Sequence, residues 1–225
     1  MRKLIAAVII GAGTLLAAPA FSADLPPYTP PPSIPPVDYG LGGSFYLRGS
    51  VGGNAYWAHD ADYGCGCTTT ATNWGYGYSF GVGIGYETGT GVRFDGTLDY
   101  LSNSGLSDGT YKLDLKTTLG LVNVYYDFPL GDAGSGGLDG YVGAGAGIAY
   151  NQTHTTGGLP DGSNTTVAGA LMAGVSYDMG NVVTDLGYRL VYMPTVSNGA
   201  SGANNYTINN NFIHEIRGTV RYRFN

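Results

Sequence analysis

Residues 74–86 read WGYGYSFGVGIGY and alternate without interruption between large and very small side chains. Aromatic or β-branched residues occupy every even position, and glycine or serine occupies every odd one. Because successive side chains of a β-strand point to opposite faces, this stretch predicts a strand with one bulky face and one bare face. Its thirteen residues exceed the five or six of an ordinary soluble strand. They are enough to cross a bilayer at a tilt.

The glycines indicate which face of this strand contacts lipid. A water-facing strand surface normally carries Thr, Lys or Glu, because strand glycines cost backbone entropy and pack against nothing. The interior of a narrow β-barrel needs bare positions, since they leave room for long side chains from opposite strands. We therefore expect Tyr78, Phe80 and Ile84 to face acyl chains. The alternative fold is a soluble eight-stranded carrier, in which the aromatic residues would enclose a ligand and the charges would face water.

The first 22 residues have the composition of a secretory signal peptide. Arg2 and Lys3 precede an apolar run that ends at Leu16, and Ala20 and Ser22 provide the small residues of a cleavage site. The apolar run is too short for a comfortable membrane span. We expect residues 1–22 to be removed, with cleavage after Ala20 as the alternative. The proline-rich residues 23–43 then form a periplasmic tail, and residues 44–225 form the folded domain.

Composition narrows the class of protein further. The chain has a formal charge of −6, 39 glycines and 19 tyrosines, and it lacks the basic stretches expected of a nucleic-acid-binding protein. No segment after the signal is apolar enough for a transmembrane helix, so an exported membrane protein of this composition has to be a closed barrel. The two cysteines, Cys65 and Cys67, lie in a predicted loop at a spacing that is awkward for an unstrained disulfide, and we expect them to be non-catalytic, either reduced or oxidised. Neither a metal nor a cofactor is expected, because this spacing supplies no further ligands.

Eight segments after Ser44 have strand-like alternation. They are residues 44–57, 74–86, 92–101, 111–128, 140–150, 167–178, 182–192 and 212–224. The fourth segment carries its leucines in one register and Val122, Val124 and Tyr126 in the other, which predicts a β-bulge near Gly120. The sequence thus predicts an all-β fold, an eight-stranded antiparallel up-and-down transmembrane β-barrel.

The lengths of the connections predict the orientation of this barrel. Barrels of this kind have short periplasmic turns and longer external loops. Short or glycine-rich connections are predicted at residues 87–91, 128–138 and 178–181, and long polar loops at residues 58–72, 102–110, 151–166 and 193–211. Both termini are therefore expected in the periplasm.

The same alternation divides the charged and aromatic residues between the two faces. Inward positions receive ten residues that we expect to form an ion-pair network in the lumen: Arg48, Arg93, Asp95, Asp99, Asp185, Arg189, Glu215, Arg217, Arg221 and Arg223. Glu87 and Asp127 join them as further acids, which balances six arginines with six carboxylates. Outward aromatic residues near the strand ends are expected to form the lipid-facing girdle: Trp57, Trp74, Tyr86, Tyr100, Tyr126, Tyr150, Tyr192, Phe212, Tyr222 and Phe224.

Four segments carry a resemblance to a known group of proteins. They are the start of the mature chain at Asp24-Leu25-Pro26-Pro27, the first strand SFYLRG at 44–49, NVYYDF at 123–128 and the last strand from His214 to Phe224. These resemble the small outer-membrane β-barrel proteins of Gram-negative bacteria, including porin-family and opacity-type surface antigens and OmpA-like transmembrane barrels. The resemblance implies an outer-membrane location, a role in envelope integrity, surface exposure and no catalytic site.

The expected partners follow from this location. They are outer-membrane lipid and lipopolysaccharide, the outer-membrane assembly machinery that reads the closing aromatic strand, and a host or phage ligand at the outer loops, where variable chemistry sits on a rigid scaffold.

Two other functions stay open at this stage. A narrow porin-like pore would use the same charged lining to pass water or small solutes. A lipid-modifying barrel enzyme would need a nucleophile, a base and an orienting group within hydrogen-bond reach. The candidates are His59, His154, His214, Ser50, Ser79 and Glu215. Strand alternation sends His214 and Glu215 to opposite faces, so no convergent catalytic site is expected.

Overall fold

The computed structural model describes residues 43–64, 66, 68–70, 74–107, 112–130, 137–156, 160–200 and 205–224. The predicted signal peptide, nearly all of the predicted tail, Cys65 and Cys67 lie outside these ranges. The described strands are β1 (Ser44–Tyr63), β2 (Thr68–Thr70), β3 (Gly75–Glu87), β4 (Val92–Ser107), β5 (Lys112–Pro129), β6 (Leu138–Thr156), β7 (Gly162–Asp178), β8 (Val182–Ser197) and β9 (Tyr206–Phe224). Within the same ranges, no helix has the length and apolar character needed to cross a membrane.

Eight long strands close into a barrel. Strand β1 pairs antiparallel with β3, and each strand from β3 to β8 pairs antiparallel with the one that follows it. The last strand returns to the first, with a register that runs from Phe45 opposite Phe224 to Tyr63 opposite Tyr206. The short strand β2 pairs only with the outer end of β1 among the described residues. The predicted up-and-down antiparallel barrel of eight strands is therefore confirmed.

Strand β3 has the predicted bulky face outside and the bare face inside. Tyr76, Tyr78, Phe80, Val82 and Ile84 are each more than half exposed on the outer surface. The glycines between them line a crowded interior. A Cβ atom at Gly85 would lie 2.4 Å from the ring of Tyr46, and one at Gly81 would lie 2.0 Å from a carboxylate oxygen of Asp99. The bare face therefore makes room for side chains of neighbouring strands.

Tight turns join strands at the end of the barrel that holds Phe224. In the connection from β3 to β4, Gly89 and Gly91 have positive φ angles of 76° and 87°, a region that glycine enters without steric cost. Between β7 and β8, the carboxylate of Asp178 accepts a hydrogen bond of 2.7 Å from the backbone N–H of Gly180.

The outer ends of the strands are longer than predicted. Residues 58–63, 102–107, 151–156, 162–166, 193–197 and 206–211, predicted as parts of loops, are strand. All of these segments except residues 58–63 contain two or more Thr, Asn or Ser residues, a composition that suggested loops. They nevertheless continue the pairing of the strands below them. Threonine has high β-propensity, and ladder hydrogen bonds satisfy the backbone whether or not lipid surrounds it. The barrel wall therefore extends beyond the predicted strand ends.

The bulge predicted at Gly120 is not formed. Burial alternates along β5 through Gly120, and its pairing with β6 is continuous. Leu113, Leu115, Leu119 and Leu121 all face the interior, so the strand is apolar on both faces and needs no register change. The register shift lies instead in β4, between Asn103 and Leu106.

Three neighbouring strands reverse their alternation at one level of the barrel. Inward side chains normally occur every second residue, but here the spacing is three: Ala58 to Ala61 on β1, Met193 to Val196 on β8 and Ile208 to Asn211 on β9. At this level the pairing skips residues 59, 194 and 210. Asn210 has a φ of 54°, and it is the single non-glycine residue with positive φ among the described residues. We call this line across β1, β8 and β9 the crease.

The interior has two sections of different chemistry. Towards the tight turns it holds the arginines and carboxylates of the predicted network. Towards the outer end it is mainly apolar, with a few buried amides such as those of Asn103, Asn151 and Asn211. Its fully buried apolar residues include Leu101, Leu115, Leu119, Val191, Met193 and Ile213. The barrel therefore has a charged inner section and an apolar outer section.

Candidate functional site in the barrel interior

The inner end of the lumen is occupied by two arginines of β9. Arg221 makes two hydrogen bonds of 3.0 and 3.1 Å to Asp185 on β8 and also contacts Glu87 on β3. Arg223 donates to Glu87 at 2.7 Å and contacts Asp178 at the end of β7. Glu87 thus joins the two arginines into one charged cluster at the inner mouth.

Arg93 on β4 lies between a carboxylate and two aromatic rings. Its Nε atom is 2.8 Å from Asp127 on β5. Its guanidinium carbon is 4.1 Å from the ring centre of Tyr125 and 5.1 Å from that of Tyr141. A cation above aromatic faces is stabilised by the ring quadrupole, most strongly where water is excluded. These rings therefore supply part of the stabilisation that a fully buried guanidinium loses with its water.

Arg48 on β1 is held by Asp95 on β4. The Nη1 atom of Arg48 is 2.6 Å from a carboxylate oxygen of Asp95, and both side chains are buried. The same carboxylate accepts hydrogen bonds from Tyr46 at 3.0 Å and from the amide of Asn123 at 2.7 Å. Arg48 also donates to the hydroxyl of Tyr125 at 2.9 Å. The pair therefore lies within a hydrogen-bond network that covers both charges.

The widest connection in the network is made by Arg189 on β8. Its Nη1 atom lies 2.8 Å from Asp99 on β4, across the bore, and its Nε atom lies 2.6 Å from Glu215 on β9. Asp99 also faces Arg217, at 3.6 Å, and Arg217 donates to Ser50 at 2.7 Å. All four charged side chains are almost completely buried. This group links opposite walls of the barrel.

All ten lumen residues expected from the sequence point inward, and each has an oppositely charged partner. Closure of the barrel places Arg221 of β9 opposite Arg48 of β1, and the acid that pairs with Arg48 is Asp95 on β4. Sequence reasoning missed Asp178 as a partner of Arg223, and it missed Tyr125. Continuing the inward parity of β5 from Asn123 would have found Tyr125.

The positions of the ion-pair partners decide whether the interior leaves a path through the barrel. A buried charge loses its hydration, and only a well-placed opposite charge with further hydrogen bonds restores it. An eight-stranded barrel is just wide enough for side chains to fill it. In this barrel the charged side chains reach across to one another and occupy the bore. The arrangement is that of a plug.

The outer section adds a second, apolar layer. Three hydrogen bonds join buried polar groups within it: Tyr56 with Asn211, Thr117 with Asn151, and Tyr206 with Thr153. Buried polar groups that pair in this way avoid the cost of lost hydration.

The girdle residues lie on the outer surface. Trp74, Tyr126, Tyr150, Tyr192, Tyr222 and Phe224 are exposed there. The other four contact outward rings: Trp57 and Phe212 lie 5.7 Å apart, Tyr86 lies 4.9 Å from Phe45, and Tyr100 lies 5.2 Å from Phe80.

The described histidines and serines do not come together. His214 points outward and contacts Tyr188, whereas the neighbouring Glu215 points inward to Arg189 and Ser79. His154 is exposed and pairs with Asp161 at 2.6 Å. No group of three metal-ligating side chains is found in the part of the chain that the structure describes.

No protein-family model matches the chain, and no curated protein matches it. Among solved structures, Neisserial surface protein A is 24% identical over 81% of this chain and 99% of its own, with a TM-score of 0.51. OprG from Pseudomonas aeruginosa is 16% identical over 82% and 98%, with a TM-score of 0.46. The attachment invasion locus protein Ail of Yersinia pestis, solved with the heparin analogue sucrose octasulfate, is 14% identical over 80% and 99%, with a TM-score of 0.43. The chain has the eight-stranded fold of the small Gram-negative outer-membrane β-barrel proteins, the group that its sequence resembles.

Proposed function

We propose that this protein is a non-enzymatic, surface-exposed barrel of the Gram-negative outer membrane that strengthens the envelope and does not conduct. The observation that carries the proposal is the buried connection from Asp99 through Arg189 to Glu215, which spans the bore with distances of 2.8 and 2.6 Å. An ion moving through the lumen would have to break these contacts and would leave buried charges unpaired.

The outer surface supports the membrane location. Large apolar side chains cover it. Aromatic residues cluster at the inner strand ends and just below the polar outer extensions of the strands, the two levels at which rings would meet lipid headgroups. Lipid and lipopolysaccharide are thus the partners of the wall, and the assembly machinery is the partner of the closing strand. Host or phage ligands would contact the outer ends, which carry the polar strand extensions. With this orientation, both termini face the periplasm.

Planar-bilayer recording of the refolded protein tests the proposed plug. We expect the wild-type protein to show no conductance steps, and the double variant Asp99→Ala with Glu215→Ala to show them, because it removes both partners of Arg189. The double variant of exposed Asp161→Ala with half-buried Asp114→Ala removes two charges outside the lumen. It is the control for lost charge and should show no conductance steps. Wild-type steps that change size on Arg48→Glu substitution would replace this proposal with the narrow pore.

A second experiment tests location and role. Heat-modifiable mobility on detergent gels and recovery in the sarkosyl-insoluble envelope fraction are expected for an outer-membrane barrel, and full periplasmic solubility would contradict it. Cells that lack the gene should become more sensitive to detergent, and the wild-type gene should restore resistance. An unchanged lipid A mass spectrum in these cells is expected of a non-enzyme.

A further inference from the structure

The barrel wall is incomplete above one level between β7 and β8. Their pairing runs from Asp178 opposite Val183 up to Gly169 opposite Tyr192 and ends there. Both strands continue upward, but β7 then pairs only with β6, up to Gly162 opposite Thr153, and β8 pairs only with β9, up to Ser197 opposite Thr207. We call this unpaired boundary, between residues 162–168 and 193–197, the seam.

The seam begins beside the crease. Pro194 lies at both, and proline has no backbone N–H with which to continue a ladder. On the neighbouring strand, Asn210 adopts a positive φ of 54°, which non-glycine residues seldom do. Ladder pairing at this level is skipped on both sides of β9. The backbone is therefore least constrained along one line across β1, β9 and β8.

Beyond this line the three strand ends form a small sheet of their own, which we call the outer flap: residues 60–63, 195–197 and 206–209. These residues pair with one another and with β2. The flap faces the apolar outer section of the interior with Val196, Tyr206 and Ile208, which are buried. The aromatic ring of Tyr206 extends from β9 across the mouth, so that its hydroxyl donates to Thr153 on β6 at 2.6 Å.

Side chains, rather than a backbone ladder, hold the flap to β7. The amide nitrogen of Asn164 donates to the carbonyl of Thr195 at 3.2 Å, and its amide oxygen accepts from the backbone N–H of Ser197 at 3.2 Å. Asn164 therefore replaces with one side chain the two hydrogen bonds that a continued ladder would have made at this point. A ladder cannot be removed by one substitution, but this bridge can.

We propose that the outer flap is a hinged lid. It turns about the crease and opens the barrel along the seam. Asn164 and Tyr206 are its latches, and the amide of Asn198 adds a contact to the carbonyl of Pro160 at 3.5 Å. Opening exposes the apolar outer section to the outside while the charged inner section stays closed. The open barrel would therefore have a cavity that is accessible from the outer end only. The inner network shares none of the flap's contacts, so the two sections respond separately.

Hydrogen–deuterium exchange of the full-length refolded protein tests this lid, because local opening is read from the amides that it exposes. In Asn164→Ala, we expect exchange at residues 195–197 and 206–209 to rise about tenfold, as the loss of two hydrogen bonds of ordinary strength implies. Tyr206→Phe keeps the ring and should accelerate the same amides. The matched controls are Ser163→Ala, next to the latch on the exposed face of β7, and Tyr150→Phe, outward on β6. Neither should change exchange in the flap.

Two outcomes would overturn the lid. One is exchange in the flap that is the same in Asn164→Ala as in Ser163→Ala. The other is faster exchange spread evenly over all strands, including β3 and the inner part of β9, since that pattern reports a general loss of stability. Acceleration confined to the flap in both latch variants supports the hinge.

Discussion

Arg189 on β8 and Asp99 on β4 form an ion pair across the bore, with 2.8 Å between Nη1 and Oδ2 and almost no exposure of either side chain. In the order of the closed sheet, these two strands lie on opposite sides of the barrel. The pair therefore connects opposite walls of the barrel, and under the proposed function it also blocks the bore. Its two roles make separate demands on the protein, since bracing affects stability and plugging affects conductance.

Breaking this pair on one side should destabilise the barrel strongly. Asp99→Asn or Arg189→Met alone leaves the buried group of Asp99, Arg189, Glu215 and Arg217 with one unbalanced charge, for which we expect a loss of about 3–5 kcal/mol in the free energy of unfolding. The double variant removes both charges and should lose clearly less than the sum of the two single losses. Urea titration in lipid vesicles, followed by tryptophan fluorescence, measures all three. Additive losses would show that the two groups act independently.

A methyl group at Gly85 should be costly. Its Cβ atom would lie 2.4 Å from the ring of Tyr46 and 2.5 Å from the carbonyl oxygen of Phe94. We expect Gly85→Ala to lower the free energy of unfolding by about 1–3 kcal/mol, as overpacking does. Gly49→Ala is the control, because no atom lies within 4 Å of its added methyl group. Equal stability of the two variants would contradict a filled interior.

The two tryptophans report on the outer surface. Trp57 and Trp74 are the only ones in the chain, and their rings lie 6.5 Å apart near the outer strand ends. We expect quenchers attached near lipid headgroups to reduce their fluorescence more than quenchers at the chain centre, because such rings prefer the interface. Single Trp→Phe variants assign the signal to each residue. Fluorescence that no lipid-attached quencher reduces would indicate that the aromatic face does not meet lipid.

Acid should loosen the junction between β6 and β7. The pKa of Asp161 is lowered from its ordinary value of 3.8 because its carboxylate accepts a hydrogen bond from the backbone N–H of Thr155 and another from His154. A lowered folded-state pKa gives stabilisation that is complete above the ordinary pKa and disappears as pH falls through the folded one. The Thr155 amide signal in NMR should therefore titrate with a midpoint below 3.8. In Asp161→Asn that titration should vanish.

The sequence was sufficient to predict most of the strands in the membrane region and the face to which their side chains point. Along β3, the alternation of aromatic residues with glycine determined both the strand and its faces, since burial on one side permits only one register. Arg93, Asp95 and Asp99 followed from the same parity on β4. Their partners did not follow, because pairing across the bore depends on the stagger of the closed sheet, which no single strand encodes.

The outer end of the barrel was harder to predict for two physical reasons. Thr and Asn are common both in loops and in water-exposed strands, so composition alone could not extend β6 beyond Tyr150. The crease then reverses alternation at Asn210, and a period that changes phase within a strand looks irregular when it is read from sequence. The seam between β7 and β8 depends on how the two strands pair in the folded barrel. Its single indicator in the local sequence is Pro194.

The two apolar faces of β5 have a consequence for assembly. Leu119 and Leu121 face inward, while Val122 and Val124 face outward. A register slip of one residue would exchange these two sets at little hydrophobic cost. Hydrophobic burial therefore does not select the correct register of this strand. Selection falls to the polar contacts of its inner half, where Asn123 meets Asp95 and Tyr125 meets Arg48. Strand β5 therefore needs β1 and β4 as a template before its own position is defined.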